Sequence, residues 1–293
     1  MMMVSMCRRL SFVAVLTLVI VAGTARTQSR PNVAAHGMVA SPEPLATDVG
    51  VAILKAGGNA FDAAAAVQFA LAVTYPTAGN IGGGGFMVGL TADGETFALD
   101  FREEAPAAST EDMFVDGDGA MVPGLSTGTH KGVGVPGSVD GMLELIEQYG
   151  TLTRADVLAP AIRLARDGFP VSYALAGSLQ RNERLRQFAS TIEAFGLEGA
   201  GPDMGDLLQQ PDLAATLEAV ARDGRDGFYT GRVADLIVAD MQANGGLITH
   251  EDLRRYDAVW REPLIFEHAE YQLVTHPVPS SGGMTIAQTL AML

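Results

Sequence analysis

Arg102 is the side chain whose neighbours best equip it to hold an anionic group. It follows Asp100-Phe101 and precedes Glu103-Glu104, and the run Gly82-Gly83-Gly84-Gly85 stands a short way upstream. A planar guanidinium offers two parallel N–H donors, the geometry that a carboxylate accepts. Consecutive glycines let another group come close to the main chain. The same charges support a plainer reading, in which Arg102 makes surface ion pairs of little energetic value with Asp100, Glu103 or Glu104. Spacing alone does not choose between the two.

Other constellations carry less. The glycine run is not followed by Lys-Ser or Lys-Thr and lacks the spacing of a dinucleotide loop, so nucleotide binding is not expected. Gly124-Leu125-Ser126-Thr127-Gly128 matches the G-x-S-x-G pattern of a nucleophilic serine. That motif needs a buried strand before it and a helix after it. Here both flanks are rich in Gly, Asp and Pro, so an ordinary loop is expected. The 5 histidines form no H-E-x-x-H pair, and no metal site or cofactor is expected. Thr249-His250-Glu251-Asp252 reads instead as a helix start with Thr249 as N-cap.

The elements that must position Arg102 follow from periodicity. Over 96–102 the chain alternates, with Phe97, Leu99 and Phe101 on one face and Thr96, Ala98, Asp100 and Arg102 on the other. This predicts a half-buried strand with the guanidinium at its end. Upstream, Leu45, Val49, Ala52, Ile53 and Ala56 mark one face of a helix opened by Pro42 and Pro44 and stopped by Gly57-Gly58. A second helix over about 59–73 is apolar nearly all round, Asp62 and Gln68 excepted, and is expected to be buried. Tyr75-Pro76 ends it.

Residues 105–137 read as loop. Val139, Met142, Leu143 and Ile146 mark a helix closed by Gly150. Thr153 with Asp156 caps the next one, which Pro160 is expected to kink or restart. The stretch 180–210 has no clear pattern. Helices resume near 213–221 and 233–244, and strands near 264–266 and 271–274. The final stretch 286–293 favours helix and carries no stop signal, so the chain is expected to be a fragment or a truncated precursor.

Composition bounds the class. A chain of 293 residues, 48% hydrophobic and 18% charged, can bury a substantial core. With 19 Lys and Arg against 34 Asp and Glu, the formal charge of −15 leaves no electrostatic footprint for nucleic acid. Arg8 and Arg9 precede an apolar run over 10–22 and the small residues Gly23 and Ala25, the layout of a cleaved secretory leader at 1–25. The run is shorter than the ~20 residues of a bilayer span, which makes an uncleaved anchor the second reading. The single cysteine, Cys7, falls within the leader, so the rest of the chain has no thiol for disulfides, metal ligation or nucleophilic catalysis.

Several motifs in order resemble the γ-glutamyltransferase (glutathione hydrolase) family. Gly79-Asn80-Ile81-Gly82-Gly83-Gly84-Gly85-Phe86-Met87 and Leu99-Asp100-Phe101-Arg102-Glu103-Glu104-Ala105-Pro106 are similar to its large-chain signature. His36-Gly37-Met38-Val39-Ala40-Ser41 is similar to its opening. Gly57-Gly58-Asn59-Ala60, Val135-Pro136-Gly137, Pro160-Ala161-Ile162-Arg163-Leu164-Ala165, Phe228-Tyr229-Thr230-Gly231 and Pro279-Ser280-Ser281-Gly282-Gly283 follow in the family's order. His276-Pro277-Val278-Pro279 departs slightly, since the family has a longer proline run there.

The resemblance implies an α+β fold, the four-layer αββα sandwich of N-terminal-nucleophile hydrolases, of which 26–293 would be an incomplete large chain. It implies self-cleavage of a precursor and a nucleophilic threonine in a small chain beyond Leu293. That threonine's own α-amino group serves as base. No catalytic residue then falls on this sequence. The implied substrates are glutathione and other γ-glutamyl compounds, with water, amino acids or peptides as acceptors, and the implied partner is the small chain of the same precursor. Arg102 is implied as the residue that holds the substrate's α-carboxylate. A periplasmic or secreted location would follow from the leader. Two other readings stay open: an acylase of different acyl specificity, and a binding or structural protein without a nucleophile.

Overall fold

A computed structural model describes residues 33–293. The expected leader at 1–25, with Cys7, lies outside the described residues. Residues 33–38 belong to a separate unit and contain no helix or strand. The unit from Val39 to Leu293 is mixed helix and sheet, as the α+β expectation requires. Among the described residues no helix is long and apolar enough to cross a membrane.

Helices α1 (Pro44–Lys55) and α2 (Ala60–Thr74) form an antiparallel pair joined by the Gly57-Gly58 turn. The Glu43 side chain caps α1 by accepting the Ala46 N–H at 2.9 Å. Asn59 and Asp62 form a reciprocal capping box on α2. As expected, α2 is buried on nearly every side, from Ala63 to Val73. Asp62, a polar exception to that apolar surface, is fully buried with it. Its carboxylate also accepts the Thr151 N–H at 3.1 Å, the Thr151 hydroxyl at 2.7 Å and the Leu152 N–H at 3.3 Å. Those bonds replace the water it loses and tie α2 to the turn between α3 (Ser138–Tyr149) and α4 (Arg154–Asp167).

Strands β1 (Phe86–Leu90), β2 (Thr96–Asp100) and β5 (Val259–Arg261) form an antiparallel sheet with β2 in the middle. The register sets Val88 and Arg261 either side of Ala98, and Phe86 and Val259 either side of Asp100. Phe97 and Phe101 pack toward α2 and α3: the Phe97 ring lies 5.5 Å from Phe61 and stacks at 4.4 Å on Tyr149, and Gly141 abuts Phe101. The expectation of a half-buried strand is corrected here. Ala98 and Asp100 on the opposite face are also buried, because Ala98 is short beside its larger cross-strand neighbours and Asp100 is covered by Arg261.

The chain from 101 to 137 has only a 3-10 turn, His130–Gly132, and two isolated bridges, Glu104 with Val135 and Val115 with Met121. Helix α4 does not break at Pro160; it runs continuously to Asp167. Proline removes a single backbone donor, and the buried Val157, Leu158, Ala161 and Ala165 hold the helix against α2 and α7 (Pro211–Asp223). The unpatterned stretch folds as short pieces: α5 (Tyr173–Arg181), a 3-10 turn (Glu183–Gln187) and α6 (Ala189–Phe195), after which β4 (Leu207–Leu208) pairs with β3 (Phe169–Pro170). Beyond α7 come α8 (Asp226–Tyr229), α9 (Gly231–Asn244) and α10 (His250–Arg255), the last with a Thr249–Asp252 capping box. The hairpin of β6 (Leu264–His268) and β7 (Tyr271–Thr275) and helix α11 (Ser281–Ala291) complete the described elements.

Candidate functional site

Arg102 lies two residues past the end of β2, in a span held at both ends. On one side Phe101 and Gly85 exchange backbone hydrogen bonds, at 3.0 and 3.2 Å. On the other Glu104 and Val135 do the same, at 3.2 and 2.8 Å. Arg102 itself is bonded through both of its peptide groups. Its N–H donates to the Asp100 carboxylate at 3.1 Å, and its carbonyl accepts the Tyr256 hydroxyl at 2.9 Å.

The glycine run lies against this span. A side chain at Gly84 would collide with the Phe101 carbonyl and come within 2.8 Å of the Arg102 Cα, so only glycine lets the two strands of backbone approach so closely. The Gly83 carbonyl accepts the N–H groups of Gly137 and Ser138 at 2.7 and 2.9 Å, which satisfies donors at the start of α3.

The Arg102 side chain is 56% exposed. Its Nε donates to Glu103 Oε2 at 3.0 Å, and its guanidinium carbon sits 5.3 Å from the centre of the Phe86 ring. Among the described residues its two terminal nitrogens have no hydrogen-bond partner. The other flanking acids do not engage it: Asp100 gives its remaining oxygen to Arg261, whose Nε and Nη2 each approach within 2.8 Å. Phe86 also contacts His276 at a ring distance of 4.2 Å. The His276 Nδ1 lies 2.9 Å from the Pro277 carbonyl, while its buried Nε2 has no partner among the described residues.

Behind the span is a buried polar network. Asp140, on α3, is all but fully buried; it accepts Arg225 Nε at 2.9 Å and the Ala258 N–H at 2.8 Å. Arg225 also donates to the Tyr256 carbonyl and stacks over Tyr229 at 4.6 Å. The Tyr229 hydroxyl donates to the Pro136 carbonyl at 2.7 Å, and the Tyr229 and Tyr256 rings are parallel with centres 5.8 Å apart. Burial pushes the Asp140 carboxyl up from its ordinary value. The Ala258 N–H and Arg225 oppose that shift, and the carboxylates of Asp257 and Glu144 add to it. Burial, reinforced by Asp140, likewise pushes the phenols of Tyr229 and Tyr256 up, so both remain protonated donors. Sequence reasoning missed Tyr256, Arg225, Asp140 and Arg261, because their partners lie far away along the chain.

The serine motif has no such setting. Ser126 sits between helices and strands, and His130 beside it directs Nε2 to Asp240 at 2.8 Å. A cavity of about 960 Å³ nearby is lined by Gly124, Leu125, Thr127, Phe188 and Asp240 among others, and not by Ser126. His130 is paired with Asp240 and not with Ser126, and no cluster of three metal-binding side chains occurs among the described residues.

A sequence profile of the gamma-glutamyltranspeptidase family matches residues 46–293. The glutathione hydrolase proenzyme of Escherichia coli (strain K12) is 48% identical over 265 residues, which are 90% of this chain and 46% of that protein. The chain thus spans about half the length of the curated relatives it matches. The crystal structure of Helicobacter pylori gamma-glutamyltranspeptidase superposes with a TM-score of 0.87 at 44% identity, over 89% of this chain and 75% of that one. Gamma-glutamyltranspeptidase from Pseudomonas nitroreducens, complexed with L-DON, does so with a TM-score of 0.81 at 42% identity, over 87% and 75%.

Proposed function

The chain belongs to the gamma-glutamyltranspeptidase family, and from that premise we propose that it contributes the carboxylate-binding half of an enzyme that transfers and hydrolyses γ-glutamyl groups. Glutathione and related γ-glutamyl compounds are the proposed donors, and water, amino acids or peptides the acceptors. The proposed nucleophile is the threonine of a small chain released from the same precursor. The naming of the curated relatives as proenzymes supports that arrangement. The threonine hydroxyl attacks the γ-carbonyl carbon and passes its proton to the threonine's own amino group. The amine leaves with a proton, and the acceptor then takes the acyl group.

The observation that carries this reading is Arg102: an exposed guanidinium whose two terminal nitrogens have no partner among the described residues, on a backbone bonded through both peptide groups. A γ-glutamyl donor holds its α-carboxylate several bonds from the scissile carbonyl. Fixing that end orients the carbon for attack, and a planar fork does so where an ammonium cannot. The basic start, apolar run and small residues at 8–25 support a periplasmic or secreted location, which fractionation of expressing cells tests.

The kinetic test is steady-state turnover of a γ-glutamyl anilide by the full-length, self-cleaved protein. Arg102→Ala should lower kcat/KM at least ~30-fold, mostly through KM, since removing one partner of a desolvated charge pair costs about 2–5 kcal/mol. Arg102→Lys should fall between the two. Cleavage into two chains, read on a gel, should be unaffected, because the precursor's own peptide bond offers no such carboxylate. Normal cleavage with kcat/KM within about threefold of wild type would make Arg102 a surface ion-pair residue.

A further inference from the structure

Arg102 is exposed, yet its main chain is anchored by a residue from the far end of the sequence. Tyr256 follows α10 and is 2% exposed. Its ring is held by Tyr229 on one face, and its own carbonyl by Arg225. Gly137 makes room for the hydroxyl: a Cβ there would collide with it. What this packing delivers is one hydroxyl, 2.9 Å from the Arg102 carbonyl.

We propose that Tyr256 is a positioning residue for substrate binding, its hydroxyl fixing the Arg102 carbonyl and so the direction in which the guanidinium leaves the backbone. The proposal rests on the reading of Arg102 given above. A long side chain aimed from a loose backbone must be ordered when the ligand arrives, and that ordering is subtracted from affinity. A backbone already bonded at N–H, carbonyl and, through Gly84, by close contact at Cα leaves only the side-chain torsions to settle. Tyr256→Phe deletes the one bond that comes from outside the 84–102 region and leaves the ring stack in place. The Arg102 carbonyl then has no protein donor from that side.

The test is a double-mutant cycle on the full-length, self-cleaved protein with a γ-glutamyl anilide as donor, comparing wild type, Tyr256→Phe, Arg102→Ala and the double variant. Tyr256→Phe is expected to raise KM about five- to tenfold with kcat within about twofold, the size of one lost hydrogen bond to an ordered group. In the Arg102→Ala background it is expected to change KM less than about 1.5-fold, because the guanidinium it aims is gone. A donor analogue whose α-carboxylate is a carboxamide should have the same KM in wild type and Tyr256→Phe. Three results would overturn the proposal while leaving the reading of Arg102 intact: an equal KM rise in both backgrounds, no KM rise in the Tyr256→Phe single variant, or loss of folded, cleaved protein, which would mark Tyr256 as structural only. If Arg102→Ala alone leaves KM within about threefold, the reading of Arg102 itself fails and the role of Tyr256 falls with it.

Discussion

Three arginines in and around the candidate site each hold a carboxylate at 3.0 Å or less, and they differ in everything but that distance. Arg102 meets its chain neighbour Glu103 in the open. Arg261 meets Asp100 from the other strand of the sheet, and Arg225 meets Asp140 across the base of α3, each with its carboxylate almost completely buried. A neighbour-to-neighbour pair joins nothing that the chain has not already joined, and water screens it. The two long-range pairs hold a sheet edge and a helix base, and in each the carboxylate has almost no water to fall back on. Arg102 is therefore the one of the three that can exchange its carboxylate for another without unfolding anything.

The sharpest way to break that comparison is Asp140→Ala. It leaves Arg225 and the Ala258 N–H without their partner, and equilibrium urea unfolding should register a loss of about 3 kcal/mol. A loss under about 1 kcal/mol would mean that the buried pair is as dispensable as the exposed one. Asp100→Asn comes next. Losing the charge against Arg261 should cost about 2 kcal/mol in the same measurement, and because Asp100 also holds the Arg102 N–H, KM for a γ-glutamyl donor should rise as well.

Arg102→Ala sharpens the contrast from the opposite side. Its expected kinetic cost is large, yet its effect on the unfolding midpoint should correspond to less than about 0.5 kcal/mol. Glu103→Gln should alter stability no more than that. By releasing Nε it should lower KM at most about twofold, an effect that added salt reduces. The smallest expected change is from Ser126→Ala, which should leave kcat and KM within experimental scatter; abolished turnover would show that the loop at 124–128 does chemistry after all.

The same division between local and distant partners separates what could be read in advance from what could not. The start of α10 was legible because Thr249 and Asp252 satisfy each other within one turn, and the end of α3 because Gly150 stops it. Both strands of the β6–β7 hairpin were legible too. Asp62 was legible as a polar exception on a buried helix, but not its partners, because the groups that solvate it, Thr151 and Leu152, lie 89 and 90 residues away. Pro160 was expected to kink or restart α4 because its cost is local; the helix does not restart there, because the packing that holds it comes from distant elements.

By itself the sequence determined the glycine run, the alternation that makes β2, the helix pair before it, and a guanidinium beyond a strand end flanked by acids. All of these depend on residues within a few positions of one another, where covalent geometry and hydrophobic periodicity act directly. Only the tertiary structure decided which acid each arginine holds, and hence which guanidinium is left exposed on a local pair. It also decided that β2 is covered on both faces and that a tyrosine 154 residues away bonds the Arg102 carbonyl. Those outcomes depend on which surfaces exclude water together, and burial of a charge or a carbonyl is a property of the folded neighbourhood that no short stretch of chain possesses.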